Sequence, residues 1–496
     1  MAEKSRQGVK DILKNNRVYF ALLGLVFLLG LILRFDMYIF NRSFWFDEAA
    51  LAINILNNGF FDLFGELKYY QSAPPLFLFE TKILVSLFKS SERVFRFIPF
   101  LTSLFLLPLF YLFSKYFLSS RAARLLGSFL FAINTNLIFY SGEFKPYALD
   151  VFALLSFVLL IFMFKFKRPL LLGVIFALFS WYSYASGIIS FSFAIVLFFY
   201  VLKNKKHKKD YFLFLLPQIV NLVPLALHFG AIENTRAFMS KIWAWGYIQP
   251  DFSNFLTLFT ENIFYIFHPY KIIFKPLPVL LPLFLGIMCI LGGIFLFRGS
   301  KIKFFLITSP FFMTLFLSYF GLYPFYDRLS LYLTPIYIIL FVKSFEFLLK
   351  KPFGSVILLL FLLISIYPTI NSQKHMKNLP AQDLAVFLKL KENYKKGDVI
   401  ILDETSIPQY IYYSKRTGFS ADRVLSEKMT KDSTKYLFYL NTLDKNKNYW
   451  FVRSSVKFPD VLETREIIEF FGRERGEFKH YNKGKTDLYY VGKKLH

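Results

Sequence analysis

The stretch Pro74–Phe88, PPLFLFETKILVSLF, decides how this chain is folded. It is apolar enough to be mistaken for a membrane span, yet Glu80 and Lys82 stand in its middle. Each crossing reverses the side on which everything after it lies. Counted as a span, the stretch sends Arg121, Arg124 and every later basic run, including the five-lysine run KNKKHKK that begins at Lys203, to the face opposite the basic N-terminus. Short loops rich in Lys and Arg stay on the cytoplasmic side. The stretch is therefore expected to lie along the outer interface, with Lys82 and Lys89 snorkelling while Leu76, Phe77, Ile83, Leu84, Leu87 and Phe88 enter the lipid boundary.

The rest of the composition makes the membrane unavoidable. Of 496 residues 55% are hydrophobic and 67 are Phe, beyond the half-apolar, Leu-led usage of soluble domains. Spans are expected at about Val18–Phe35, Phe97–Phe117, Arg124–Tyr140, Tyr147–Phe164, Leu170–Ser186, Gly187–Leu202, Tyr211–Phe229, Pro276–Phe297, Phe304–Leu322, Leu329–Leu349 and Phe353–Tyr367, several near the lower limit of ~17 residues. These give 11 spans, or up to 13 if interfacial stretches such as Phe255–Phe267 cross as well. Val18–Leu33 has no small-residue cleavage site after it and reads as a retained first span. An inside N-terminus and an odd span count put the C-terminus outside. The net charge of +26 does not indicate nucleic acid: the tail from Asn371 carries 24 basic and 16 acidic side chains, leaving +18 in the short basic runs between apolar segments. The single cysteine, Cys289, rules out an intrachain disulfide.

At Asn371 the Phe-rich composition ends, so the chain reads as a membrane domain, residues 1–370, followed by an α/β domain, residues 371–496. Helices are expected at Pro380–Tyr394, Ser406–Ser414, Ser433–Leu443 and Val461–Phe471, strands at Asp398–Leu402 and Tyr449–Val452, and a closing hairpin at Glu477–Val491. Helices alternating with short apolar strands suggest one small α/β domain.

Three outer-face stretches carry the chemistry. Arg42–Ala50, RSFWFDEAA, sets the adjacent acids Asp47 and Glu48 behind Phe44, Trp45 and Phe46, aromatics suited to the headgroup level. Those acids either line a wet site or simply begin the helix Ala49–Leu56, one of them as its N-cap. The second stretch is Tyr140–Asp150, YSGEFKPYALD. A helix starting near Pro146 aligns Glu143, Tyr147 and Asp150 on one side, although Glu143 and Lys145 also suit a solvated turn and Asp150 a hydrogen-bonded buried acid. In the third, Tyr323–Pro335, YPFYDRLSLYLTP, the Arg328 guanidinium is fitted to grip a phosphate bidentately; pairing with Asp327 or snorkelling are its plain alternatives. His228 and His268 have no metal-ligand partner in register, and the Gly292–Gly293 pair indicates close helix packing. A divalent cation, if one is used, has Asp47 and Glu143 as candidate ligands.

Together, a first-loop W-x-D-E, a second-loop Y-S-x-E-x-K-P-Y and a later Y-D-R resemble the GT-C class of polyprenyl-phosphate-sugar glycosyltransferases. The similar members are bacterial relatives of protein O-mannosyltransferases, aminoarabinose transferases and lipopolysaccharide galacturonosyltransferases. Where such relatives commonly have Arg in E-x-R-P-Y this chain has Lys145, and before Pro74–Pro75 it has Ser72–Ala73 in place of His or Lys. The resemblance implies a GT-C-like polytopic fold in a bacterial cytoplasmic membrane, with an extracytoplasmic C-terminal domain. It also implies a polyprenyl-phosphate-linked sugar as donor, and a glycan, lipid or protein acceptor. Asp47 would be the base, with Glu48 beside it and Glu143 by the reacting centre; Arg328, Lys145 and Tyr147 would hold the donor phosphate, and Asp150 would be an additional site acid. A transporter or lipid flippase is the competing class, but such proteins often show repeated halves and midplane binding groups, and neither is visible here.

Overall fold

The computed structural model describes residues 15–165, 167–204, 207–266, 280–348, 369–374, 377, 383–427, 433–454, 461–475, 477–483 and 486–493. It divides into two compact units: residues 1–40 with 60–373, and residues 41–59 with 374–496. The segment carrying Asp47 thus groups with the C-terminal residues.

The first unit is helical and apolar. Among the described residues eight helices are long and apolar enough to cross a membrane: Asn16–Phe40, Phe97–Phe117, Tyr147–Phe164, Tyr184–Lys203, Lys208–Ala231, Pro282–Gly299, Lys301–Tyr319 and Asp327–Glu346. A ninth is obtained if Arg121–Ala132 and Thr135–Ser141, bent by 49°, form one broken span. The chain is a multi-pass membrane protein. The expected span Phe353–Tyr367 lies outside the described residues, as does His268.

Local chemistry explains where this differs from the expected spans. Arg124–Tyr140 is two helices, because Asn134 accepts a hydrogen bond from the Leu137 backbone N–H at 3.0 Å and so caps a new one. The last carbonyl before the break, that of Ala132, is taken by the buried Arg34 guanidinium at 2.9 Å. Leu170–Ser186 also breaks: Pro169–Phe179 is a short helix, and the next begins at Tyr184, where Ser183 accepts from the Ser186 N–H at 3.0 Å. The Pro74–Phe88 stretch forms the helix Pro75–Phe88, which is 14 residues long and buries Phe77, Leu78, Thr81 and Val85. Phe255–Phe267 is represented by the helix Phe252–Ile266. A side chain on Gly292 would run into the Leu340 backbone, so glycine is what lets the helix Leu280–Gly299 lie against Thr334–Leu348.

The second unit holds a five-stranded mixed sheet: β1 (Val399–Asp403), β2 (Arg423–Glu427), β3 (Tyr449–Ser454), β4 (Phe478–Lys483) and β5 (Thr486–Val491), in the order β2-β1-β3-β5-β4. The first three strands are parallel, and β5 pairs antiparallel with both β3 and β4. Four helices, Asp383–Asn393, Ile407–Thr417, Ser433–Asn441 and Val461–Arg475, stand where helices were expected. The sequence reading missed β2. Its RVLSE is charged at both ends, and as an edge strand it needs no continuous apolar run.

Candidate active site

In the second unit, the extended residues before Phe46 lead into the helix Phe46–Asn57, with Trp45 at the capping position. Neither acid is therefore the N-cap. Asp47 and Glu48 lie within the first turn, where exposed backbone N–H groups favour negative charge. Their surroundings differ. Glu48 is wholly buried, and its Oε2 lies 3.8 Å from Nη2 of the equally buried Arg42; Asp47 is half-buried. Phe44 is buried rather than turned outward as an interface aromatic. Its ring meets Tyr412 at 4.9 Å, and its backbone N–H donates to the Tyr413 hydroxyl at 2.7 Å.

In the first unit, the turn after Ser141 is tightened by a bond from the Lys145 N–H to the Glu143 carbonyl at 2.8 Å, and the helix Tyr147–Phe164 starts directly behind Pro146. The turn is not solvated: Glu143 is 1% exposed and Lys145 6%. Lys145 donates from Nζ to Oε1 of Gln71 at 2.9 Å. Asp150, one helical turn beyond Tyr147, is also buried and accepts from the Ser183 hydroxyl at 2.6 Å. That is the hydrogen-bonded acid of the plainer reading, and the hydroxyl is the one that caps the helix at Tyr184.

Arg328 lies in the 3-10 helix Asp327–Leu333, entered through Asp327 in the left-handed region at φ 51°. For a residue with a side chain this conformation is strained, and such strain concentrates at functional sites. The guanidinium carbon sits 5.9 Å from the Tyr147 ring centre and 5.4 Å from that of Trp243. Tyr147 in turn meets Tyr140 edge-to-face at 5.0 Å. The Tyr140 hydroxyl lies within electrostatic reach of Asp327, Glu143, Arg328 and Tyr147. The fold thus gathers Glu143, Tyr147 and Arg328 around one tyrosine. Burial, followed by Tyr332, Asp150 and Tyr147, pushes the Tyr323 phenol well above its usual range; Tyr326 is pushed up to about 12 by burial and by Glu261 and Asp327. Both remain protonated donors at neutral pH.

No family model and no curated protein matches the sequence. A solved structure does: the crystal structure of ArnT from Cupriavidus metallidurans in the apo state superposes with a TM-score of 0.51 at 10% identity, over 95% of this chain and 98% of that one. The fold is ArnT-like. A second ArnT structure from the same organism, bound to undecaprenyl phosphate, matches with a TM-score of 0.48 at 10% identity, over 97% of this chain and 98% of that one. The polytopic helical architecture with a small C-terminal α/β part, expected from the sequence, is thus a fold the chain shares with that structure.

Sequence reasoning missed two side chains of the first unit. Gln71 bears no charge, and only its position just before the unusual Ser72–Ala73 pointed to it. Trp243 stands in no motif, and folding alone brings its ring to Arg328. Of the two acids offered for a cation, Asp47 and Glu143, each belongs to a different unit. Among the described residues there is no group of three or more His, Cys, Asp or Glu suited to a metal ion.

Proposed function

We propose that the protein is an inverting glycosyltransferase that moves one sugar from a polyprenyl-phosphate donor to an acceptor hydroxyl. One observation carries this reading: Lys145 and Arg328 sit with Glu143, Tyr147 and Asp150 in a predominantly apolar helical unit with an ArnT-like fold. Charge in such surroundings is costly and is kept where it has a function.

In the reaction, Asp47 takes the proton of the acceptor hydroxyl as its oxygen forms a bond to the anomeric carbon. The bond from that carbon to the phosphate oxygen breaks on the opposite face, and polyprenyl phosphate leaves with the electron pair. A phosphate needs no general acid to leave, but its growing charge must be met by fixed donors. Arg328 supplies a bidentate fork and Lys145 a point charge, with Tyr147 beside the guanidinium. Glu143 orients the groups about the anomeric centre, and Asp150 organises that end of the site through Ser183. The donor is drawn from the membrane, and the acceptor is a glycan, lipid or protein of the cell envelope. Transfer takes place on the outer face of a bacterial cytoplasmic membrane, with the N-terminus inside.

The test is transfer by the purified protein from a panel of undecaprenyl-phosphate glucose, mannose and aminoarabinose, with cell-envelope extract as the source of acceptor. Release of undecaprenyl phosphate from one of these donors is expected, together with labelled sugar in the extract. Intact donors throughout the panel, in a protein that also fails to bind undecaprenyl phosphate, would reject the reading. Orientation is checked separately by impermeant labelling of single cysteines in intact cells: Lys447→Cys should react and Lys206→Cys should not.

A further inference from the structure

A helix entry is ordinarily fixed by the helix itself, through a capping side chain and an apolar staple between the residue before the cap and the fourth helical residue. The helix bearing Asp47 has neither. Its capping residue, Trp45, makes no side-chain cap bond, and the fourth helical position is Ala49, too short to staple Phe44. The missing restraints come instead from residues more than three hundred positions later, within the same compact unit. The Phe44 ring packs on Tyr412, and its N–H is held by the Tyr413 hydroxyl at 2.7 Å. Ser43 in return accepts from the Leu384 N–H at 3.3 Å, at the start of the helix Asp383–Asn393. Tyr413 has no freedom to drift, being wholly buried with Phe387 at 6.0 Å.

We propose that Tyr413 is a positioning residue for the reaction, acting through Phe44 to set the angle at which the first helical turn presents Asp47. Through this one hydroxyl the C-terminal domain then bears on turnover and is not merely an appended fold. This rests on the reading of Asp47 as the base. A base displaced by a few tenths of an ångström still leaves the donor bound but loses its alignment with the acceptor hydroxyl, so the loss falls on turnover rather than on donor affinity.

Tyr413→Phe keeps the ring and deletes only the hydroxyl that Phe44 uses. With the donor of the panel that the wild-type protein cleaves, kcat should fall about tenfold while affinity for undecaprenyl phosphate is unchanged. In an Asp47→Asn background the same substitution should cause no further fall, because the base it positions is gone. Tyr410→Phe, which deletes a hydroxyl from the same helix without touching the first loop, should keep wild-type kcat. Unchanged kcat in Tyr413→Phe overturns the proposal. So does an equal fall in Tyr410→Phe, which would mark a general weakening of the domain, or a tenfold fall that persists without Asp47. Near-normal turnover of Asp47→Asn itself would overturn the base reading and this proposal together, whereas an unaffected Tyr413→Phe beside an inactive Asp47→Asn overturns the positioning role alone.

Discussion

The two acidic stretches look alike in sequence, an aromatic-flanked acid pair and an aromatic-flanked acid–lysine pair, yet the fold treats them in opposite ways. In the second unit, Glu48 is buried against Arg42 while its neighbour Asp47 keeps partial access to solvent. In the first, Glu143, Lys145 and Asp150 are all withdrawn from water, with Lys145 donating to the Gln71 amide and Asp150 accepting from the Ser183 hydroxyl. A half-exposed side chain such as that of Asp47 is open to a substrate, as a general base must be. Buried groups held by fixed partners instead make a field that does not reorganise during reaction. Under the proposed mechanism the first stretch transfers the proton and the second stabilises the developing charge.

The sharpest way to break that contrast is Asp47→Asn. Turnover should fall by roughly 10²- to 10⁴-fold with little change in affinity for undecaprenyl phosphate. Turnover near wild type would leave the first stretch without a chemical role. Its neighbour should behave differently: Glu48→Gln leaves Arg42 buried opposite a neutral amide and should cost about 3 kcal/mol of stability. Thermal melts with turnover referred to the folded fraction separate the two acids, and an unchanged melting temperature would contradict the buried pairing.

In the other region, Arg328→Lys replaces a planar fork by a point charge and should weaken undecaprenyl phosphate binding about tenfold or more, the worth of a charge-assisted bidentate contact of about 1.5–3 kcal/mol. Wild-type affinity in a binding titration would remove Arg328 from the phosphate. Gln71→Leu, which takes the carbonyl from Lys145 while keeping its volume, should show a smaller loss of the same affinity, about three- to tenfold. The smallest effect on function is expected of Ser183→Ala. It removes a helix cap and one donor to Asp150, and should lower stability by about 1–2 kcal/mol while turnover of the folded protein survives. A collapse of turnover there would promote Asp150 from organiser to participant.

Much of the architecture was readable because membranes impose simple rules. Apolar length and helix–strand alternation are local properties, so most of the long apolar helices and the elements of the α/β tail emerged in nearly their observed places among the described residues. The breaks at Asn134 and Ser183 were harder, since each depends on one side chain choosing a backbone N–H over solvent. The edge strand Arg423–Glu427 carried no apolar pattern to read.

Residue types and their spacing singled out the candidates for chemistry: Asp47, Glu143, Lys145 and Arg328 are charges set beside long apolar stretches, and that placement is legible in a sequence. Only tertiary structure decided what each charge meets. Lys145 meets Gln71, Asp150 meets Ser183, Arg328 lies by the ring of Trp243, and the Phe44 N–H donates to the Tyr413 hydroxyl. Each of those contacts joins residues far apart in the chain, and no local periodicity records them. They exist because burying an apolar surface brings particular side chains together, and a buried polar group must then be satisfied by whatever the packing has placed within reach.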